Sequence, residues 1–169
     1  MRTLISLAVF AAASAAAAFN AEEWHGKREL LTREAERLMT AYTNCVAHLT
    51  TPADDVTVPL ETFDDGSVKV IVHARKAQYF PENGLVWASG VVVKKFTGEG
   101  VLDARIDAEN CVIDRLAKSG WADGPATIVH GKTVFRGRGV YFSSPEAYVK
   151  VFKDSVIESS DLKFGGIRP

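Results

Sequence analysis

Residues 84–96 read GLVWASGVVVKKF and residues 120–132 read GWADGPATIVHGK, so Trp121 follows Trp87 by thirty-four positions inside the same W-A-x-G frame. At that offset Ala74 falls on Ala108, Ala77 on Cys111, Tyr79 on Ile113, Gly90 on Gly124 and Val91 on Pro125. A third, weaker copy in FRGRGVYFSSPEAYVKVFKDSVI sets Gly137 against Ala74, Val140 against Ala77, Phe142 against Tyr79, and Asp154-Ser155-Val156 near Gly90-Val91. A period of about 34 residues belongs to tetratricopeptide arrays only when the units are helical. These units alternate with period two, are rich in β-branched residues and are broken by Gly and Pro, so each reads as strand, turn, strand. On this reading a strand begins anew at Gly90 and again at Gly124. A lone hairpin cannot bury its apolar face, whereas stacked copies can.

The same grammar extends outward. VKVIVHA sets Val68, Val70, Val72 and Ala74 against Lys69, Ile71, His73 and Arg75 after the DDGS turn at 64–67. VLDARIDA sets Leu102, Ala104, Ile106 and Ala108 against Asp103, Arg105 and Asp107, and ATIVHG, TVFRGRGVYF and AYVKVF are further short strands. Strands at this spacing indicate an all-β sandwich, jelly roll or barrel. Before Pro52 the pattern differs. Trp24, Leu31, Ala35, Leu38, Tyr42, Cys45 and Leu49 mark one helical face, Asn20 with Glu23 resembles a capping box, and Glu29–Arg33 is an i,i+4 pair. The spacing predicts a helix over 21–43, with CVAHLTT beyond it also alternating like a strand.

With 169 residues, 47% of them hydrophobic, and a formal net charge of -1, the chain suits one globular domain and has no basic cluster for nucleic acid. MRTLISLAVFAAASAAAAFNAEE reads as a signal peptide over residues 1–18, with an A-x-A-type site near Ala16-Ala17-Ala18. A retained anchor is the competing reading, since residues 3–19 approach the lower length limit of about 17 residues for a membrane span. Either reading places the domain outside the cytoplasm, in a bacterial periplasm. There Cys45 and Cys111 can form one bridge or remain two small buried residues.

The unit A-x-x-A-x-Y … G-V-x-V, with DDGSVKVIVHARKAQY, ASGVVVKK, LDARIDAEN, GPATI and FRGRGVYF in that order, resembles the periplasmic lipopolysaccharide-transport proteins of the OstA-like group, nearest the LptC-like branch. The charged helical stretch and the cleavable leader depart from that branch. The resemblance implies an incomplete, V-shaped β-jelly roll at 52–164; the residues themselves set an N-terminal helical segment at 19–51 before it and a tail at 165–169 after it. It further implies a greasy interior that shields acyl chains, and partners that are lipopolysaccharide or a similar lipid, other Lpt jelly rolls joined edge to edge, and an inner-membrane ABC transporter. No cofactor or catalysis is implied.

Parity along the strands nominates Val70, Val72, Trp87, Val91, Val93, Leu102, Ile106, Ile128, Phe135, Tyr141, Val149 and Val151 as the inward lining. An ordinary core would carry the same binary pattern. Arg136 and Arg138 share a strand face suited to phosphate or to solvent. His25, His48, His73 and His130 show no metal-ligand spacing, and there is no nucleophile elbow or phosphate-cradling Gly loop, so an enzyme on a sandwich is the weakest reading. A self-associating β scaffold without cargo is the other alternative.

Overall fold

The structure, a computed structural model, describes residues 21–159, with side chains from His25 onward. The leader reading, the Asn20–Glu23 cap, the side chain of Trp24 and the tail at 165–169 lie outside the described residues. One helix, α1 (Ala21–Ala47), precedes seven strands: β1 (Ala53–Thr62), β2 (Val68–Phe80), β3 (Leu85–Phe96), β4 (Leu102–Asp114), β5 (Ser119–His130), β6 (Thr133–Ser143) and β7 (Tyr148–Ser159). They form a single antiparallel sheet in sequence order β1 to β7. The helix runs one turn past the expected end, so the first three residues of CVAHLTT enter it and the rest connect it to β1, none of them forming a strand. Its packed face is the one the spacing predicts: Leu31, Ala35, Leu38 and Cys45 are buried and Tyr42 and Leu49 are partly so.

W-A-x-G is not where strands restart. β3 and β5 run straight through Gly90 and Gly124, which sit mid-strand in the left-handed region at φ 59° and 81°. They belong to a row that crosses the sheet. Asp55 on β1, Gly139 on β6 and Asp154 on β7 are also left-handed, and Arg75 and Glu109 stand opposite Gly90 on β2 and β4. A left-handed residue within a strand bends it, and at Gly124 and beside Asp154 a register shift, a β-bulge, accompanies the bend.

Across this row the apolar face changes phase. On β2 the inner residues are Val70, Val72 and Ala74, then Ala77; on β3 they are Val93 and Val91, then Ala88; on β4, Ile106 and Ala108, then Cys111. The step across the corner is three residues instead of two, and on β5 a register shift between Ala122 and Pro125 makes it four. The bend divides the sheet into an upper half, holding the turns that follow β1, β3 and β5, and a lower half, holding those that follow β2, β4 and β6. Inner residues of both halves form one apolar cluster. The product is an all-β, incomplete jelly roll, V-shaped in section and preceded by a helix, and among the described residues both edges of its sheet are open.

The repeat is real in the backbone. The turns after β2, β4 and β6 place Gly84, Lys118 and Ala147 in the left-handed region, and the corner does so with Gly90, Gly124 and Asp154, at matching places in three successive hairpins. β1 is the one strand outside the repeat.

Gly90 carries a second constraint, because a Cβ there would meet Nε of Arg75 at 2.1 Å, whereas one at Gly124 would meet nothing within 4 Å. Gly124→Ala is expected to cost about 1–2 kcal/mol, the left-handed penalty alone, and Gly90→Ala more. Gly124→Asn should cost less than Gly124→Ala, since Asn tolerates this region. Urea unfolding of the three variants checks the order.

Candidate functional site

The inner cluster contains Val70, Val72, Val91, Val93, Ile106, Ile128, Phe135 and Val149 from the nominated lining, with Val151 packed partly buried against it. Ala74, Ala77, Ala88, Cys111, Ile113, Ala122, Val140 and Phe142 complete the lower wall and the corner. Parity missed these wherever it was carried across the bend. Gly120 leaves the space that the Phe142 ring fills, since a Cβ there would lie 2.3 Å from it. The interior is tightly filled. One void, beneath Val70, Val93, Ala104, Ile106 and Phe142, and another, beneath Val58, Leu60, Val72, Ala88 and Ile113, each have room for about one water, ≈ 20 Å³.

Three nominated residues lie elsewhere. Trp87 and Tyr141 point to the opposite face, where they join Trp121, Val112, Phe80, Leu85 and Tyr148 beneath α1. The cause is the phase change: Trp87 shares odd numbering with Val91, and Tyr141 with Phe135, but the corner intervenes in both pairs. Leu102, at the start of β4, is half exposed. The tryptophans therefore seat the helix on the outside of the lower half. Trp121 meets Phe152 edge-on at 5.2 Å.

The third repeat changes this seat. Lys150 occupies the position of Trp87 and Trp121, buried, its Nζ donating to Thr32 Oγ1 of the helix at 3.0 Å and lying 4.6 Å from the Phe152 ring centre. Burial, with Arg28 nearby, lowers its pKa, against an opposing pull from Glu36. A second anchor is Arg37, which donates to Asp114 Oδ2 at 2.7 Å and also to Glu34. Asp114 in turn accepts from the backbone N–H of Leu116 and Ala117 at 3.0 and 2.9 Å, so one carboxylate ties the β4–β5 turn to the helix.

Cys45 and Cys111 are both free thiols, which corrects the possible disulfide. Cys45 packs under the helix and Cys111 inside the V, so the sheet itself separates them. Burial pushes the Cys111 thiol up to about 12. Arg136 pairs with Glu158 of the neighbouring strand. Among the described residues no three His, Cys, Asp or Glu side chains are grouped to hold a metal ion, and no helix is long and apolar enough to cross a membrane.

Polar groups concentrate where the tips of the two halves meet. Register shifts around Leu60 and Glu61 at the end of β1 put Leu60 into the inner cluster and leave Glu61 against the other tip. There Ser144, first residue of the β6–β7 turn, donates its hydroxyl to Glu61 Oε2, and Lys69 Nζ reaches Glu61 Oε1 at 2.8 Å. Sequence reading passed over Glu61, because a Glu beside a turn carries no pattern of its own.

No family model and no curated protein matches the chain in sequence. Among solved structures it is similar to LptH, the LptA-homologous periplasmic component of the conserved lipopolysaccharide transport device from Pseudomonas aeruginosa. The likeness has a TM-score of 0.45 and 8% identity, over 70% of this chain and 89% of that one.

Two outcomes test this geometry. Leu38→Ala, at a position with no exposure, should destabilise the fold by about 2–5 kcal/mol in urea unfolding. Burial pushes the Glu61 pKa up, but the bonds from Lys69 and Ser144 more than offset this and hold it below its ordinary value of 4.5. The stability it supplies is thus complete above the unfolded value and is lost as pH falls through the lower native one. Glu61→Gln should flatten that part of an acid-unfolding curve.

Proposed function

We propose that the protein is a non-catalytic lipid-binding component of lipopolysaccharide export in the bacterial periplasm. It takes the acyl chains of lipopolysaccharide, or of a similar lipid, between the halves of its sheet. The observation that supports this is the inner cluster itself, one apolar surface running the length of the V and contributed by every strand. A single bent sheet with both edges open has its two inner walls hinged on one row of residues. Each buried CH₂ of a cargo chain is worth about 0.8 kcal/mol, which repays parting those walls.

The edges supply the partners in this reading. Among the described residues β1 and β7 each have one neighbour, so their outer backbone groups can accept another jelly roll by strand addition. A chain of such units would run from an inner-membrane ABC transporter across the envelope, with the leader directing secretion. The small size of the inner voids favours a second reading, a self-associating scaffold that carries no lipid.

Photo-crosslinking decides between them. A photoreactive residue at Val91 or Ile106, on the inner face, is expected to capture lipid from envelope extract, detected by mass spectrometry. The same residue at Trp87 or Tyr141, under the helix, should capture none. Absence of lipid adducts at both inner positions, with the fold intact, would establish the scaffold reading instead.

A further inference from the structure

We propose that acyl chains are admitted at the meeting of the two tips, and that Glu61 with Ser144 is the latch that keeps this port shut until an anionic head group takes the lysines from Glu61. The inference rests on the lipid-binding reading and adds where and how the V opens.

The latch joins opposite halves. Glu61 is the penultimate residue of β1, in the upper half, and Ser144 opens the β6–β7 turn at the far end of the lower half, eighty-three residues away. Directly inside lies the void under Val70, Val93, Ile106 and Phe142, which Lys95 and Ser144 rim. An acyl chain passing there would meet only apolar side chains beyond the rim. Parting Ser144 from Glu61 would extend this void to the outside, and the hinge row, mid-strand and at the opposite end of each half from the tips, leaves both walls intact.

The rim has charge that suits one class of ligand. Lys69 is bonded to Glu61, the Lys118 carbonyl accepts from the Ser144 N–H at 3.0 Å, and the Lys118 charge acts on Glu61. Lys95 pairs with Asp103 at 3.6 Å. Lys69 and, at longer range, the charge of Lys118 thus act on Glu61, while Lys95 and, at 3.3 Å, His130 face Asp103 beside the mouth of an apolar groove. A phosphate on the head group of an acylated lipid would compete with Glu61 for Lys69, and release of that carboxylate would loosen its hold on Ser144. A partly exposed ion pair of this kind is weak enough to be exchanged.

Cys111 is a native reporter of opening, because its thiol is sealed inside the V. In a Cys45→Ala background it is the only thiol. Glu61→Gln, Glu61→Ala and Ser144→Ala are expected to speed its reaction with a disulfide reagent about three- to tenfold. They should speed uptake of a fluorescent dioctanoyl phosphatidic acid by a similar factor. Glu61→Cys with Ser144→Cys, bridged by a short reducible crosslinker, should stop both, and reduction of the same sample, followed by removal of the reductant and with only the adduct on the Cys111 peptide counted by mass spectrometry, should restore both. Unchanged labelling and uptake in the bridged protein would overturn the latch. A neutral dioctanoylglycerol analogue entering as fast as the phosphatidic acid would overturn the head-group exchange. If labelling follows the latch but neither lipid binds any variant, the lipid-binding reading falls and takes the port with it, while an unresponsive latch with normal lipid uptake overturns this inference alone.

Discussion

Everything in this fold hangs on one backbone constraint, the row of left-handed residues and their partners that crosses the sheet from Asp55 to Asp154. A seven-stranded meander without it would be a twisted sheet with one greasy side and nothing to bury that side against. The row bends each strand near its middle, so the sheet supplies its own second layer. It also resets the alternation, so that the lower half turns apolar side chains both inward, to the V, and outward, to α1. The helix is therefore no ornament on a finished jelly roll. It covers an outer surface holding Trp87, Trp121, Tyr141 and Tyr148, which would otherwise be an exposed aromatic patch.

Much of this was legible in the residues. The helix face from Leu31 to Leu49, the three hairpins, the inward direction of Val70, Val72, Val91, Val93, Ile106 and Ile128, and the all-β class all follow from periods of 3.6 and two. What failed did so at the corner. Trp87 and Tyr141 were assigned by parity, and parity holds only within an unbroken strand. The signal was present in the Gly of W-A-x-G, whose recurrence meant a bend repeated in place and not a strand starting again. Asp154, in the third copy, shows why this is hard to see: the conformation is retained while the glycine that would announce it is gone. Glu61 was illegible for a different reason, since its partner Ser144 is distant in sequence and the two meet only because the sheet folds back on itself.

The two tryptophans and Lys150 make a related point about repeats. Duplication preserves backbone geometry more faithfully than chemistry, so one structural slot is aromatic twice and cationic once. The change coincides with a change of neighbour: Lys150 stands where the helix offers the hydroxyl of Thr32. The helix end of the seat is apolar where Leu38 and Cys45 come down and polar where Thr32 and Arg37 do, and the sheet matches it strand by strand.

The corner also behaves like a reading frame. Within either half, the side chain at each position is told its face by counting in twos from its neighbours, and the bend is the one place along a strand where that count is allowed to slip. A residue gained or lost elsewhere in a strand would exchange inside for outside in everything between it and the next turn. At the corner the same change is absorbed, as β5 shows by taking one residue more than β4 and still presenting Ala122 and Ala126 inward. Length variation in such a sheet therefore has a permitted address, and it is the hinge itself.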